Sequence, residues 1–74
     1  FPNPVKDQIT LDFNKVKNGK IQLIDVLGKT VLMKNIYESK QEILDVSMLG
    51  IGIYFIQIQL DNKEIAIQKI IINR

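Results

Sequence analysis

Apolar and polar positions alternate along most of this chain, and the alternation predicts a succession of short β-strands. In Gln8-Ile9-Thr10-Leu11-Asp12-Phe13 the odd positions are apolar and the even ones polar, giving one buried and one wet face. Positions 14–18 are polar and close on Asn18-Gly19, a dipeptide suited to a tight turn because both residues tolerate positive φ. A hairpin into a second strand carrying Ile21, Leu23, Ile24 and Val26 is therefore expected. Gly28, within Asp25-Val26-Leu27-Gly28-Lys29, permits the next reversal, and Thr30-Val31-Leu32-Met33 begins a third strand. Positions 35–41 are mostly polar and carry Tyr37, which reads as a connection between sheets, and Glu42-Ile43-Leu44-Asp45-Val46 follows as a fourth strand. The strongest strand places Tyr54, Ile56, Ile58 and Leu60 on one face and Gln57 and Gln59 on the other. Asp61-Asn62-Lys63 closes a final hairpin, and Ile65, Ala66 and Ile67 begin the last strand. There the alternation slips: Lys69 takes the parity of Ile65 and Ile67, and Ile70, Ile71 and Ile72 fill both faces. Either a bulge near Gln68-Lys69 or burial on both sides would reconcile the pattern.

No segment shows a 3.6-residue apolar period of useful length, and turn signals recur every 8 to 12 residues or so, the pattern of a β-sandwich or small barrel. With 74 residues the chain is read as one small domain, of a size that buries only about 60% of its unfolded surface and tolerates few long loops. The apolar fraction of 46% is rich in Ile, with Val, Phe and Tyr adding to the β-preferring share, so the fold class is all-β. Phe1-Pro2-Asn3-Pro4 is a stiff leading segment, because proline fixes φ and pushes the preceding residue toward extended backbone. The sequence starts at Phe1 without Met, which reads as a piece of a longer protein, with any export signal lying upstream.

Asp45-Val46-Ser47-Met48-Leu49-Gly50-Ile51-Gly52-Ile53-Tyr54-Phe55 is the stretch around which the rest is organised. Asp45 and Ser47 have short side chains that bond nearby backbone, while Gly50 and Gly52 are read as supplying conformations that a Cβ resists. Leu49, Gly52 and Tyr54 compose a Leu-x-x-Gly-x-Tyr run entering a strand. This is how a tyrosine corner reads in immunoglobulin-like and fibronectin-like sandwiches, with the ring packed inward and the hydroxyl bonded back to the backbone. Tyr54 is thus assigned a structural role ahead of a catalytic one.

Charge and chemistry narrow the function by exclusion. A net charge of +2 with interleaved signs gives no basic patch of the density that a phosphate backbone asks for, so nucleic acid is not an expected partner. The chain has no His and no Cys, which removes imidazole acid–base chemistry, thiolate nucleophiles, disulfides and thiolate metal sites. Asp7, Asp12, Asp25, Asp45 and Asp61 sit at expected strand ends or turns, where Asp bonds local backbone, and their spacing is not that of a calcium loop. No catalytic, cofactor or metal site is expected, and no apolar run approaches the roughly 20 residues of a membrane-spanning helix. Lys69 is read either as an outward lysine discouraging edge-to-edge pairing or as a recognition residue. Tyr37 is the one aromatic left outside the core pattern, and a single aromatic makes no sugar-binding platform.

Four groups of residues, in this order, closely resemble the type A C-terminal sorting domain of the type IX secretion system of Bacteroidetes. They are Phe1-Pro2-Asn3-Pro4-Val5-Lys6-Asp7; Ile24-Asp25-Val26-Leu27-Gly28-Lys29; Leu44-Asp45-Val46-Ser47 with Leu49 and Gly52-Ile53-Tyr54; and Gln68-Lys69-Ile70-Ile71. The resemblance implies an immunoglobulin-like antiparallel β-sandwich of about seven short strands, spanning 1–74 as the C-terminal domain of a larger secreted protein. It also implies a non-catalytic signal that folds in the periplasm and is recognised by the outer-membrane translocon and its shuttle proteins. A cell-surface C-terminal signal peptidase would then cleave it from the covalently attached N-terminal cargo, which ends on the cell surface or secreted. Carried over by position, the family's Pro-x-Pro falls on Pro2 and Pro4 around Asn3, its Gly-x-Tyr on Gly52 and Tyr54, its C-terminal Lys on Lys69 and its terminal basic residue on Arg74. Gly50-Ile51 stands where the family usually has Pro, Ala or Ser with the glycine. Residues 63–74 are expected to offer the machinery an edge for β-addition. The competing reading is a non-catalytic immunoglobulin-like or fibronectin-like accessory module for carbohydrate or protein binding.

Overall fold

A computed structural model describes residues 4–74. It is all-β, with four antiparallel strands in one sheet: β1 Gln8–Asp25, β2 Thr30–Asp45, β3 Gly52–Leu60 and β4 Ile65–Ile72, in the order β2-β1-β3-β4. The resemblance implies about seven short strands and the alternation predicts six; four form, because β1 absorbs the first two of the six and β2 absorbs the third and fourth. Positions 14–18 and 35–41 do not leave the sheet; they run on as strand with their polar side chains in solvent. The pairing of β1 with β2 shifts register between Asp12 and Lys17 and again between Lys17 and Gly19, while Asn14 and Glu38 take positive φ of 67° and 43°. Local irregularities of this kind bend a strand without ending it.

The bend is sharp. Lys34 donates to the Ile43 carbonyl at 3.2 Å and pairs with Glu42 at 2.9 Å, although nine residues of straight strand would span about 30 Å. At the other side of the sheet Val5, which leads into β1, lies parallel to Ile72 of β4. Its N–H donates to the Ile71 carbonyl at 2.8 Å, and its carbonyl accepts from Asn73 at 2.9 Å. The β1–β2 hairpin therefore doubles over the sheet, and both of its halves feed one core. Ile9 and Leu11 from the first half of β1 pack with Ile21 and Leu23 from the second half, Ile36, Leu44 and Val46 from β2 and its end, Ile56 of β3, and Ile70 and Ile72 of β4. The described residues thus form one continuous folded-over sheet.

Two further expectations change. Asn18-Gly19 is no hairpin turn: it lies inside β1, with Gly19 opposite both Ile36 and Leu60. The β3–β4 register is unbroken from Gly52 opposite Ile72 to Gln59 opposite Ile65, so there is no bulge at Gln68-Lys69. Instead Ile70 and Ile72 face the core, while Ile65, Ile67 and Lys69 stand exposed on the outer face. The 61–64 turn forms as expected, with the Lys63 amide donating to the Leu60 carbonyl at 2.9 Å.

The Lys34–Glu42 pair yields a pH prediction. Glu42 is held below the usual carboxylate range, first by its bond from the Lys34 ammonium. A depressed folded-state value means that the contribution is present above the unfolded-state range and is lost as pH falls through the folded one. Because the Lys34 side chain is 45% exposed, the pair contributes less than about 1 kcal/mol. Glu42→Gln is expected to lower stability slightly at neutral pH and to flatten the loss between neutral pH and about pH 3, as read by urea unfolding at several pH values.

Candidate recognition surface at one end of the sheet

The motif residues gather where the strand ends meet. Asp25 stands opposite Tyr54 and Gly52 opposite Ile72, so the 26–29 turn, the 46–51 connection and the end of β4 share one end of the molecule. The leading segment joins them, since the Val46 amide donates to the Asp7 carbonyl at 2.8 Å. Pro4 is exposed there; Pro2 and Asn3 lie outside the described residues.

Asp25 organises the first loop. One carboxylate oxygen accepts the amides of Leu27 and Lys29, both at 2.9 Å, while its own amide donates to the Lys29 carbonyl at 2.9 Å. The Gly28 amide donates to the Asp25 carbonyl at 3.0 Å, and Gly28 has φ 86°, the left-handed region that glycine enters without strain. Asp45 repeats the device in the second loop, accepting the Ser47 amide at 2.9 Å. The Ser47 hydroxyl, and then that amide, hold the Asp45 carboxyl below the usual range. The Leu49 amide donates to the Val46 carbonyl at 3.0 Å, closing the turn, and Leu49 packs against the core.

Tyr54 then ties the loop to β3. Its hydroxyl donates to the Gly50 carbonyl at 2.9 Å, the bond of a tyrosine corner, and its half-buried ring packs on the core. Gly50 itself has no positive φ, and a Cβ there would reach only the Tyr54 oxygen at 4.0 Å, so the expectation that its conformation demands glycine does not hold. Gly52 opens β3 at φ 157°, where a Cβ would sit 4.0 Å from the Tyr54 ring. Tyr54→Phe keeps the packing and deletes one neutral hydrogen bond, so a loss of about 1 kcal/mol is expected in urea titration.

Arg74 closes the arrangement. Its guanidinium donates to the Leu49 and Val46 carbonyls at 2.7 Å each and to the Asp7 carboxylate at 3.0 Å. Asp7, read from sequence as a turn residue, is thus the anion of a clasp; its partner lies 67 positions away, and no local signal marks it. Lys69 does not join this end and stands on the outer face of β4 opposite Phe55. Among the described residues no three acidic side chains gather as metal ligands would, and no helix is long and apolar enough to cross a membrane.

Residues 1–73 match the model of the secretion system C-terminal sorting domain family. The chain belongs to that family. Relatives include the ulvan lyase NLR42 of Nonlabens ulvanivorans, 26% identical over 73 residues, and an endo-acting ulvan lyase of Formosa agariphila, 26% identical over 72 residues. These alignments cover 99% and 97% of this chain but 14% of each relative. A sorting domain of this family is a non-catalytic C-terminal signal of type IX secretion, through which an attached protein is exported to the cell surface or released.

Proposed function

We propose that residues 1–74 are the single C-terminal sorting domain of a longer protein and that they carry it through the type IX pathway in three steps. The domain folds in the periplasm after Sec export; the translocon and its shuttle proteins bind the folded end described above; a surface signal peptidase then separates it from the cargo. The observation that carries this reading is the convergence of Asp25, Gly28, Asp45, Ser47, Leu49, Gly52, Tyr54 and Arg74 on one end of a domain whose family is a secretion signal. A signal must present a fixed surface, and loops tied by their own carboxylates and by a tyrosine corner supply one.

A second contact accompanies it. β4 is an edge strand, and the pairing of Val5 with Ile71 and Asn73 shows that its odd-numbered backbone groups point away from β3. Those of Ile65, Ile67 and Lys69 are therefore presented for β-addition, while Val5 occupies the far end. The accessory-module reading would be favoured by an exposed aromatic platform; Tyr37, 80% exposed on β2, is a single aromatic and makes none.

The test fuses the 74 residues to a fluorescent protein carrying a Sec signal, in a type IX-competent Bacteroidetes and in a translocon-deficient strain. Surface or medium fluorescence that vanishes in the deficient strain is expected. Fluorescence held in the periplasm of both strains, with the domain folded, would return the accessory-module reading.

A further inference from the structure

Val5 fixes the direction from which the chain reaches the edge of β4. It lies parallel to Ile72, its amide donating to the Ile71 carbonyl at 2.8 Å and its carbonyl accepting from the Asn73 amide at 2.9 Å. β4 runs from Ile65 to Ile72, so a segment that arrives at Val5 in the parallel sense comes along β4 from its Ile65 end. Parallel strands rise equally per residue, and continuing the register from Val5 opposite Ile72 sets position 3 opposite Ile70 and position 1 opposite Gln68.

The leading sequence is in phase with that edge. Backbone groups along a strand point alternately to its two sides, so positions 3 and 1 share the side on which Val5 meets β4, while positions 4 and 2 turn away. Those two outward positions are Pro4 and Pro2, which have no amide to offer. Within sheets proline is confined to this side of an edge strand, and it also biases the residues before it, Asn3 and Phe1, toward extended backbone. The inner side of β4 leaves room at the same place. Ile70 and Ile72 are buried, whereas Ala66 and Gln68, of the same parity, are exposed.

We propose that residues 1–4 continue Val5 as a fifth strand, parallel to β4, and that a partner strand gains this edge only by displacing them. The Asn3 amide then donates to the Lys69 carbonyl, and the Lys69 amide donates to the Phe1 carbonyl. The chain's own segment is favoured over a second copy because Val5 already tethers it, giving an effective concentration in roughly the millimolar range with no further loop to close. Once it is in place, Pro2 and Pro4 leave the new outer edge without donors at two successive outward positions, which discourages pairing with another molecule. The displacement step rests on the β-addition contact proposed above; the pairing itself does not.

The test uses the whole cargo-bearing protein. These 74 residues contain no cysteine, so Phe1→Cys with Gln68→Cys introduces a reporter pair, and Phe1→Cys with Thr30→Cys, on the opposite edge strand, is its control. Under mild oxidation the first pair is expected to cross-link within one molecule and the second is not. Asn3→Pro removes the inward donor and is expected to speed exchange of the Lys69 amide at least tenfold, while the Ile56 amide in β3 keeps its protection. Pro2→Ala with Pro4→Ala, which changes only outward positions, is expected to alter Lys69 exchange by less than about threefold. The oxidised Phe1→Cys/Gln68→Cys protein is expected to bind purified translocon at least tenfold more weakly than the parent, with reductant restoring binding.

Absence of the cross-link, or Lys69 exchange that Asn3→Pro leaves unmoved, would overturn the proposal. Protection of Lys69 that rises with protein concentration together with a sedimenting dimer would assign the edge to a second copy and overturn it equally. A cross-link that forms without weakening translocon binding removes the displacement step and the β-addition contact with it. The sorting reading is decided separately, by whether the parent protein is exported.

Discussion

Gly19→Ala is expected to be the most damaging small substitution in the chain, lowering stability by about 3 kcal/mol or more. A Cβ at Gly19 would lie 2.2 Å from the Gln59 carbonyl oxygen and 2.8 Å from the Leu60 Cα, and both are backbone atoms of β3. No side-chain rotation relieves such a contact, so β3 must move away from β1 at the point where Gly19 also pairs with Ile36 of β2. Stability of a domain this size is of the order of 4 to 11 kcal/mol, so the loss is a large share of the whole, and a fall in Tm of 10 °C or more is expected. Two other glycines serve as controls. At Gly28 a Cβ meets nothing within 4 Å but must take φ 86°, which costs about 1 to 2 kcal/mol. At Gly50 neither obstacle exists, and Gly50→Ala is expected to be nearly neutral. Urea unfolding of the three variants should rank them in that order. A Gly19→Ala protein as stable as the parent would mean that β1 and β3 do not approach as closely as described.

Gly19 also shows where sequence reading stops. Asn18-Gly19 between polar residues is the signature of a tight turn, and the same dipeptide serves a strand crossed closely by its neighbour; the difference lies in Gln59, forty residues on. What local periodicity controls was legible: the inward face of Tyr54, Ile56, Ile58 and Leu60, the 61–64 turn, the Gly28 reversal and the bond of the Tyr54 hydroxyl. Positions 14–18 and 35–41 were not, because a polar run in a bent, solvent-facing strand has the composition of a loop. The motif residues were found individually in the chain, but their meeting at one end follows from the antiparallel order of β1, β3 and β4, which no single segment encodes. Lys69, chosen on the same resemblance, falls outside that meeting and stands on β4 opposite Phe55.

Arg74 carries the second large effect, with Arg74→Ala expected to lower stability by about 2 kcal/mol and Tm by about 10 °C. The two 2.7 Å bonds to the Val46 and Leu49 carbonyls account for most of it, since the guanidinium side chain is only 29% exposed and a planar fork reaches both acceptors at once. The Asp7 arm adds little, because that carboxylate is 64% exposed and water screens the pair. Asp7→Asn should therefore change stability by well under 1 kcal/mol, and Arg74→Lys, which offers a single compact ammonium in place of the fork, should recover less than half of the loss. Hydrogen exchange locates the effect: the Val46 and Leu49 amides, which bond the Asp7 and Val46 carbonyls, are expected to lose protection in Arg74→Ala, while Ile21 and Leu23 in β1 keep theirs. Uniform loss of protection would mean that Arg74 supports the whole sheet; no loss at Val46 and Leu49 would mean that the clasp does not form in solution. The expected pattern makes Arg74 a fastener for the 46–51 loop, acting through the Val46 and Leu49 carbonyls at its two ends and not through the exposed Asp7 carboxylate.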